Sequence, residues 1–401
     1  MVHFRRGDMG GDFYAPMTLR ILHIIYDDIG NPWVGGGGAF RTLEIYSRMA
    51  AQGHRVQVVC GRYPDAPTRE TRKGVYYRRV GYPKQYLLSR LTYVVEAARL
   101  IKQGGYDIVI EDVSPFSPVG CPLWKPRLVP ATASVQNLYG GHTTRKYGML
   151  GWGPRLVEKP LLGLFTNFVV SSEDAARRLR ERLGSRANIC IVGYSAGELF
   201  FQAGEQEQSG RRNYILSIGR IDVYQKGLDR LVSSFDKVAE RLPGVELLIA
   251  GGGAESQMAN LQRMLKESKY SKRIKLLGPV GQQEAARLMR DALFVAIPSR
   301  YETGPITALE AAAAGTAVVG TRIEGLRSNA PQYPRAHGML VNEDDNPALV
   351  GAMLKVAQDE ELRRDMGRRG REWVKQFTWD ALAEAQLQFY EEIVSRRRRV
   401  K

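Results

Sequence analysis

Between an apolar run ending at Pro298 and an alanine-rich stretch ending at Gly315, the chain reads Ser299-Arg300-Tyr301-Glu302-Thr303-Gly304-Pro305-Ile306-Thr307-Ala308-Leu309-Glu310. Pro305 suits a first helical position, where its missing N–H is not needed. The amides of Ile306 and Thr307 then open the helix and face outward at an anion, and Gly304 lets that anion approach the backbone closely. The chemistry is phosphate binding. Glu310, one and a half turns into the helix, can accept both hydroxyls of a ribose diol, while Glu302 sits on the loop where a sugar would lie. Taken alone, Glu302 more often complements a helix dipole and Glu310 a solvated face.

A second constellation is Ile218-Gly219-Arg220-Ile221-Asp222-Val223-Tyr224-Gln225-Lys226-Gly227. Arg220 and Lys226 leave the carboxyl end of a strand on a loop, where open parallel sheets bind ligands. Two such cations suit a diphosphate, each charge-assisted hydrogen bond being worth about 1.5–3 kcal/mol; the competing reading is a basic surface loop. A third feature, Gly35-Gly36-Gly37-Gly38, separates a first strand from a helix over 40–52 and allows a phosphate or sugar to meet the backbone. It is not the dinucleotide fingerprint, because GxGxxG begun at Gly35 or Gly36 meets Phe40 or Arg41, and Gly251-Gly252-Gly253 fails at Ser256. The Walker pattern is absent as well.

These loops need elements to hold them. Short β-branched runs alternate with amphipathic helices along the whole chain: strands are predicted at 20–26, 55–60, 75–80, 107–111, 128–133, 167–171 and 187–192, then at 214–218, 245–250, 273–277, 293–297 and 316–319. Strands alternating with helices of ten or more residues mean βαβ units, parallel sheets and an α/β class. The polar stretch Gln202 to Arg212 reads as a linker between two Rossmann-like domains, 17–201 and 213–378, after a loose extension over 1–16. Three helices close the chain, and the last, over 379–401, is long enough to return to the first domain.

Composition agrees with a folded protein. Of 401 residues 44% are hydrophobic and 25% charged, near the globular average. Cys60, Cys121 and Cys190 are odd in number, far apart and form no CxxC, so neither a disulfide framework nor a zinc knuckle is expected. No apolar leader follows Arg5 and Arg6, and no uncharged run reaches a spanning length; a cytoplasmic protein, peripheral to membranes at most, is the expectation.

Together the motifs resemble the retaining nucleotide-sugar glycosyltransferases of family 4. The likeness runs from about Met17 to Val394: a glycine pair leading a helix that ends in Gly53-His54, the Gly219-Arg220 pair with Lys226-Gly227 after it, Glu302 and Glu310 separated by seven residues, and the Trp379 helix. The resemblance implies the GT-B fold, two Rossmann-like domains facing across a cleft with a C-terminal helix crossing back. It implies a hexosyltransferase that retains anomeric configuration, with no cofactor and no metal, since no Asp-x-Asp and no His cluster is present. By this likeness Glu302, Arg220 and Lys226 are catalytic. The donor is held by Gly36, Gly37, Gln136, Gly219, Arg220, Lys226, Val280, Glu302, Gly304, Pro305, Ile306, Thr307 and Glu310. The base falls near Gly278-Pro279-Val280, mostly on backbone groups, which leaves UDP and GDP undistinguished.

The departures are specific. Gln136 stands where the family commonly places a histidine, and glutamine can hydrogen-bond a sugar but carries no charge; His142 is a candidate substitute. Gly193-Tyr194 replaces the usual Asn-Gly, and Glu324-Gly325 the usual Gly-Gly. A sugar-nucleotide-binding protein that has lost transfer, or a related hydrolase or epimerase, therefore stays open beside the transferase.

The charge asks for more than one anion. Lys and Arg number 58 against 42 Asp and Glu, a net +16, and most of the excess lies in the first 200 residues. Base and aromatic interleave from Arg72 to Arg90, in the domain where the family binds acceptors. An acceptor that is lipid-linked or held at an anionic membrane surface is one expectation, a solvated basic face the other. The run Arg396 to Arg399 with Lys401 reads as a frayed terminus, and nucleic acid is not expected because no recognised motif accompanies the patch.

Overall fold

The computed structural model describes residues 17–34, 36–136, 138, 152–205, 212–302, 304, 306–329 and 337–399. The expected extension over 1–16, His142, Pro305 and the middle of the expected linker lie outside these residues.

The chain forms two compact units. The first carries β1 (Arg20–Ile24), β2 (Arg55–Gly61), β3 (Arg69–Arg72), β4 (Val75–Val80), β5 (Ile108–Asp112), β6 (Ala131–Val135), β7 (Asn167–Val170) and β8 (Asn188–Ile191). They form one sheet in the order β3-β4-β2-β1-β5-β6-β7-β8. Every pairing is parallel except β3 with β4. Central strands such as Ile108-Val109-Ile110 are apolar without alternation because both faces of the sheet are covered. β3 escapes a search for apolar runs because Arg-Glu-Thr-Arg is an edge strand. It is joined to β4 by Lys73-Gly74, both at positive φ (45° and 80°), as a two-residue hairpin turn requires. β6 starts at Ala131 rather than at residue 128, because Pro130 has no N–H to give to the ladder.

The second unit carries β9 (Tyr214–Ile218), β10 (Glu246–Ala250), β11 (Ile274–Gly278), β12 (Phe294–Ile297), β13 (Val318–Thr321) and β14 (Gly338–Val341). All pairings are parallel, in the order β11-β10-β9-β12-β13-β14. Renumbered within the unit this is 3-2-1-4-5-6, the doubly wound dinucleotide-binding order.

The units meet in sequence earlier than the polar stretch suggests. The first ends at Gly193 and resumes at Trp379, and the second is Tyr194–Thr378. Residues 202–205 are not linker but the end of a helix, Glu198–Glu205, which buries Phe200, Ala203 and Gly204. A Cβ at Gly204 would lie 2.2 Å from the Ala313 carbonyl oxygen, so this helix packs directly on the helix Ile306–Ala313. Trp379–Arg399 is one helix that lies along Gly37–Ala51: the rings of Phe40 and Trp379 are 5.8 Å apart, and Arg48 meets Asp380 at 2.8 Å. Its basic end does not fray before Arg399. Arg396 pairs with Glu392 and Arg398 with Asp107, each at 3.3 Å, and cations are favoured at a helix C-terminus.

Candidate active site

In the second unit β9 and β12 are neighbours whose connections leave in opposite directions, so the crevice beyond their carboxyl ends is the switch point of the sheet. The two loops that sequence spacing singles out, after Ile218 and after Ile297, both rise from it. Gly219, Arg220, Lys226, Ser299 and Thr307 line one pocket there.

The first loop is pinned from below. Gly227 has φ 63°, and a Cβ on it would meet the Pro298 carbonyl oxygen at 2.0 Å, so only glycine lets the loop close onto the next strand. Arg300 holds it from the side, donating to Asp229 through both terminal nitrogens (2.8 and 2.6 Å) and to the Tyr224 carbonyl at 2.7 Å. Burial works against the Asp229 charge, yet the hydrogen bonds and positive charge of Arg300 hold its carboxyl below the ordinary value. Lys226 is thereby delivered to Glu302: its Nζ donates to Oε1, the same oxygen that accepts from Ser299 Oγ at 3.1 Å. The Glu302 backbone is fixed too, its carbonyl accepting from Gly325 N at 2.9 Å. Arg220 donates to Gln225 Oε1 at 2.9 Å and pairs with no carboxylate among the described residues.

The helix Ile306–Ala313 begins at the crevice, where Thr307 forms part of the pocket wall. Gly304 is where the backbone has no room: a Cβ would stand 2.6 Å from the Tyr194 ring. Glu310 differs from the other carboxylates. Half-buried and accepting from no side chain or loop amide among the described residues, it is pushed up by burial alone to about 7. A carboxylate left in that condition lacks donors. Val280 is half-buried on the loop after β11, whose Pro279 faces Gly252.

The remaining expected positions belong to the first unit. Gly36 precedes the helix Gly37–Ala51, and a Cβ there would meet nothing within 4 Å. A Cβ at Gly38 would touch the Gln136 amide at 3.3 Å, so the glycine run and Gln136 do come together. Gln136 Nε2 donates to Asp112 Oδ2 at 2.9 Å, and His23 Nε2 lies 3.7 Å from the same oxygen. Behind it a buried chain runs from His23 to Tyr46 (2.7 Å), Tyr390 (3.3 Å), Gln386 (2.8 Å) and Arg41 (3.0 Å), ending on the Val192 carbonyl at 3.0 Å. Asp112 is a site residue outside every quoted motif, while Ser299, Arg300 and Tyr194 stand inside quoted motifs that assign them no role. Only Asp112 carries a signal in the sequence, as an acid at the carboxyl end of an apolar strand.

The interleaved basic stretch is in part neutralised, with Lys73, Tyr82, Lys84 and Tyr86 exposed. Arg79 is buried against Asp28 (2.9 Å) and Glu70 (2.8 Å), Arg72 reaches the same two acids, and Lys73 meets Glu44 at 3.0 Å. Among the described residues no three His, Cys, Asp or Glu side chains gather as a metal site, and no helix is long and apolar enough to cross a membrane.

Two doubly wound units, the second with a cationic switch-point crevice beneath a helix N-terminus, define a protein that handles phosphorylated ligands. Residues 200–373 match the family described as "Glycosyl transferases group 1", and residues 36–195 the "Glycosyl transferase 4-like domain". The chain is 29% identical over 231 residues to the phosphatidyl-myo-inositol mannosyltransferase of Mycolicibacterium smegmatis, covering 56% of this chain and 57% of that protein. Its match to the Mycobacterium tuberculosis enzyme of the same description is 25% over 377 residues, covering 90% and 94%. Among solved structures, sucrose-phosphate synthase from Thermosynechococcus elongatus superposes with TM-score 0.78 at 21% identity over 94% of this chain and 99% of that one. Anabaena HepE in complex with UDP-glucose does so with TM-score 0.70 at 15% identity over 94% and 100%. The chain belongs to glycosyltransferase family 4 and has the GT-B fold.

Proposed function

We propose that this protein moves a hexose from a UDP- or GDP-linked donor to an acceptor hydroxyl with retention of anomeric configuration and without a metal ion. The observation that carries the reading is the gathering of Arg220, Lys226, Glu302 and the Ile306–Ala313 helix N-terminus at one switch point. In this reading Arg220, Lys226 and the amides of Ile306 and Thr307 offset the charge that builds on the diphosphate as the sugar–phosphate bond breaks, the task a metal would otherwise perform. Glu302 accepts from sugar hydroxyls and from Lys226, and Glu310 accepts from the ribose diol. The departing phosphate oxygen takes the proton of the acceptor hydroxyl as the new bond forms on the same face.

The relatives named phosphatidyl-myo-inositol mannosyltransferase support an acceptor carried by an anionic lipid, which would place the protein at the inner face of the membrane as a peripheral protein. Incubation with UDP-, GDP- and ADP-sugars, with and without acceptors and with a chelator, tests the reading. Nucleoside diphosphate release that survives the chelator, with an α-linked product from an α-linked donor, is expected. Binding without release would favour a protein that has lost transfer.

A further inference from the structure

In the first sheet β1 and β5 are the neighbouring strands from which the connections depart in opposite directions, so that sheet has its own switch-point crevice, beyond Ile24 and Asp112. Tyr26 follows β1 and Phe116-Ser117 follow β5. Arg90, on the helix Tyr86–Gln103, places its guanidinium among them: the carbon lies 4.4 Å from the centre of the Tyr26 ring, 4.9 Å from Tyr86 and 5.9 Å from Phe116, and one terminal nitrogen donates to Ser117 Oγ at 3.2 Å. Trp33 packs on Tyr86 at 5.9 Å. Arg62 leaves the end of β2 beside it. Gly61 sits so close to the Tyr26 ring that a Cβ would meet it at 2.5 Å, and the Arg62 carbonyl accepts from Ser89 Oγ, next to Arg90, at 2.8 Å.

These two arginines differ from three neighbouring cations of the first unit. Arg72, Arg79 and Lys73 are matched by Asp28, Glu70 and Glu44. Arg62 and Arg90 have no carboxylate partner among the described residues, and the Nε of each is buried with nothing to donate to. Asn31, on the loop after β1, adds a third such donor: its Oδ1 accepts from Trp33 N and Val34 N, and its Nδ2 is buried without an acceptor. Buried donors left without acceptors are costly, and a planar guanidinium fork fits the oxygens of a phosphate.

We propose that this crevice binds a phosphate group of the acceptor, with Arg90 and Arg62 as its cationic donors and Tyr26, Tyr86 and Trp33 as the walls against which the rest of the acceptor packs. The inference rests on the reading that the first unit takes the acceptor, and it names what that acceptor carries. The phosphate is either that of a free phosphomonoester or that of a lipid headgroup.

The test is made without any nucleotide sugar. Binding of glycerol 3-phosphate, with uncharged glycerol as control, is measured by calorimetry, and binding to phosphatidylglycerol against phosphatidylcholine vesicles by flotation, for the full chain and for Arg90→Gln, Arg90→Lys, Arg62→Gln and Ser117→Ala. At least one phosphate probe should bind, and each glutamine variant should weaken it by roughly tenfold to a hundredfold. Arg90→Lys should lose less, Ser117→Ala a few-fold, and glycerol should not bind. Soluble phosphomonoester bound in preference to vesicles identifies a free acceptor; the reverse identifies a lipid. The proposal is overturned if neither probe binds, or if both glutamine variants, shown folded by circular dichroism, bind as the parent does. Should Arg90→Gln fail to fold, Arg62→Gln and Ser117→Ala decide in the same way. Nucleoside diphosphate binding by the second unit should be equal in all variants. A protein that binds phosphate through Arg90 yet releases no nucleotide from any donor would keep this inference and sink the transferase reading instead.

Discussion

Replacing Glu310 by glutamine should make the ligand-free protein more stable and the nucleotide complex weaker. Burial lifts the Glu310 carboxyl to about 7 from an ordinary 4.5. A carboxyl raised in the folded state carries no penalty below pH 4.5, where it is protonated in both states, and loses stability as pH rises through 7. A tenfold change in proton affinity between the folded and unfolded states is worth about 1.4 kcal/mol, so at pH 8 the ionised group costs at most about 3 kcal/mol, less because water still reaches it. Glu310→Gln keeps the shape and removes the charge. In a unit of this size about 1–3 kcal/mol is roughly 3–10 °C in melting temperature. Scanning calorimetry at pH 4.5 and pH 8 should show parent and variant melting together in acid, with the variant higher at pH 8. The same change removes hydrogen bonds from an ionised acceptor to a diol, each about 1.5–3 kcal/mol, so UDP or GDP should bind at least tenfold more weakly at pH 8, while 2′,3′-dideoxy analogues are affected far less. A variant no more stable at pH 8, or one that binds both nucleotides like the parent, would refute the account of Glu310 as a carboxylate waiting for donors.

Lys226→Ala should lower turnover by about 10² to 10³, measured as nucleoside diphosphate release; near-normal rates would remove Lys226 from the diphosphate. Gly227→Ala forces a Cβ into the Pro298 carbonyl at positive φ and should lower both the melting temperature of the second unit and its nucleotide affinity, whereas an unchanged melt would show that the loop can move aside. Asp229→Asn should destabilise at neutral pH, and the gap in urea midpoints should close as pH falls below 3.8 and through the lowered folded-state value, since a depressed carboxyl stabilises only while ionised. Asp112→Ala releases the Gln136 amide and should reduce turnover several-fold with little change in nucleoside diphosphate affinity; equal loss in both would make Asp112 structural.

The fold was largely legible because buried parallel strands advertise themselves. Twelve of the strands stand out as short apolar runs, while Arg69–Arg72 pairs antiparallel at an edge with charged side chains and Gly338–Val341, at the edge of the second sheet, opens on glycine and has one β-branched residue. The switch-point loops could be found because their residue types, Arg220, Lys226, Glu302 and a glycine before a helix, have chemistry of their own. What supports them could not: Arg300 finds Asp229 across 71 residues, and Asp112 finds Gln136 across 24, distances over which side-chain partners leave no periodic trace. The pairing within the basic stretch was hidden for the same reason, since the acids that meet Arg72, Arg79 and Lys73 include Asp28 and Glu44, far back in the chain.

The route by which Trp379–Arg399 joins the first unit bears on how the protein is made. The second unit is an insertion, so Phe40, Arg41, Tyr46 and Arg48 on the helix Gly37–Ala51 meet Trp379, Gln386, Tyr390 and Asp380, all of which follow Tyr194–Thr378. At about 5–20 residues per second on the ribosome, the first unit waits roughly ten to forty seconds with that face and the buried hydroxyl of Tyr46 still lacking Tyr390. The second unit therefore completes first. The nascent first unit meanwhile offers an uncovered helix face, with Phe40 and Tyr46 on it, to chaperones, and shortening the chain before Tyr390 should trap it in that condition.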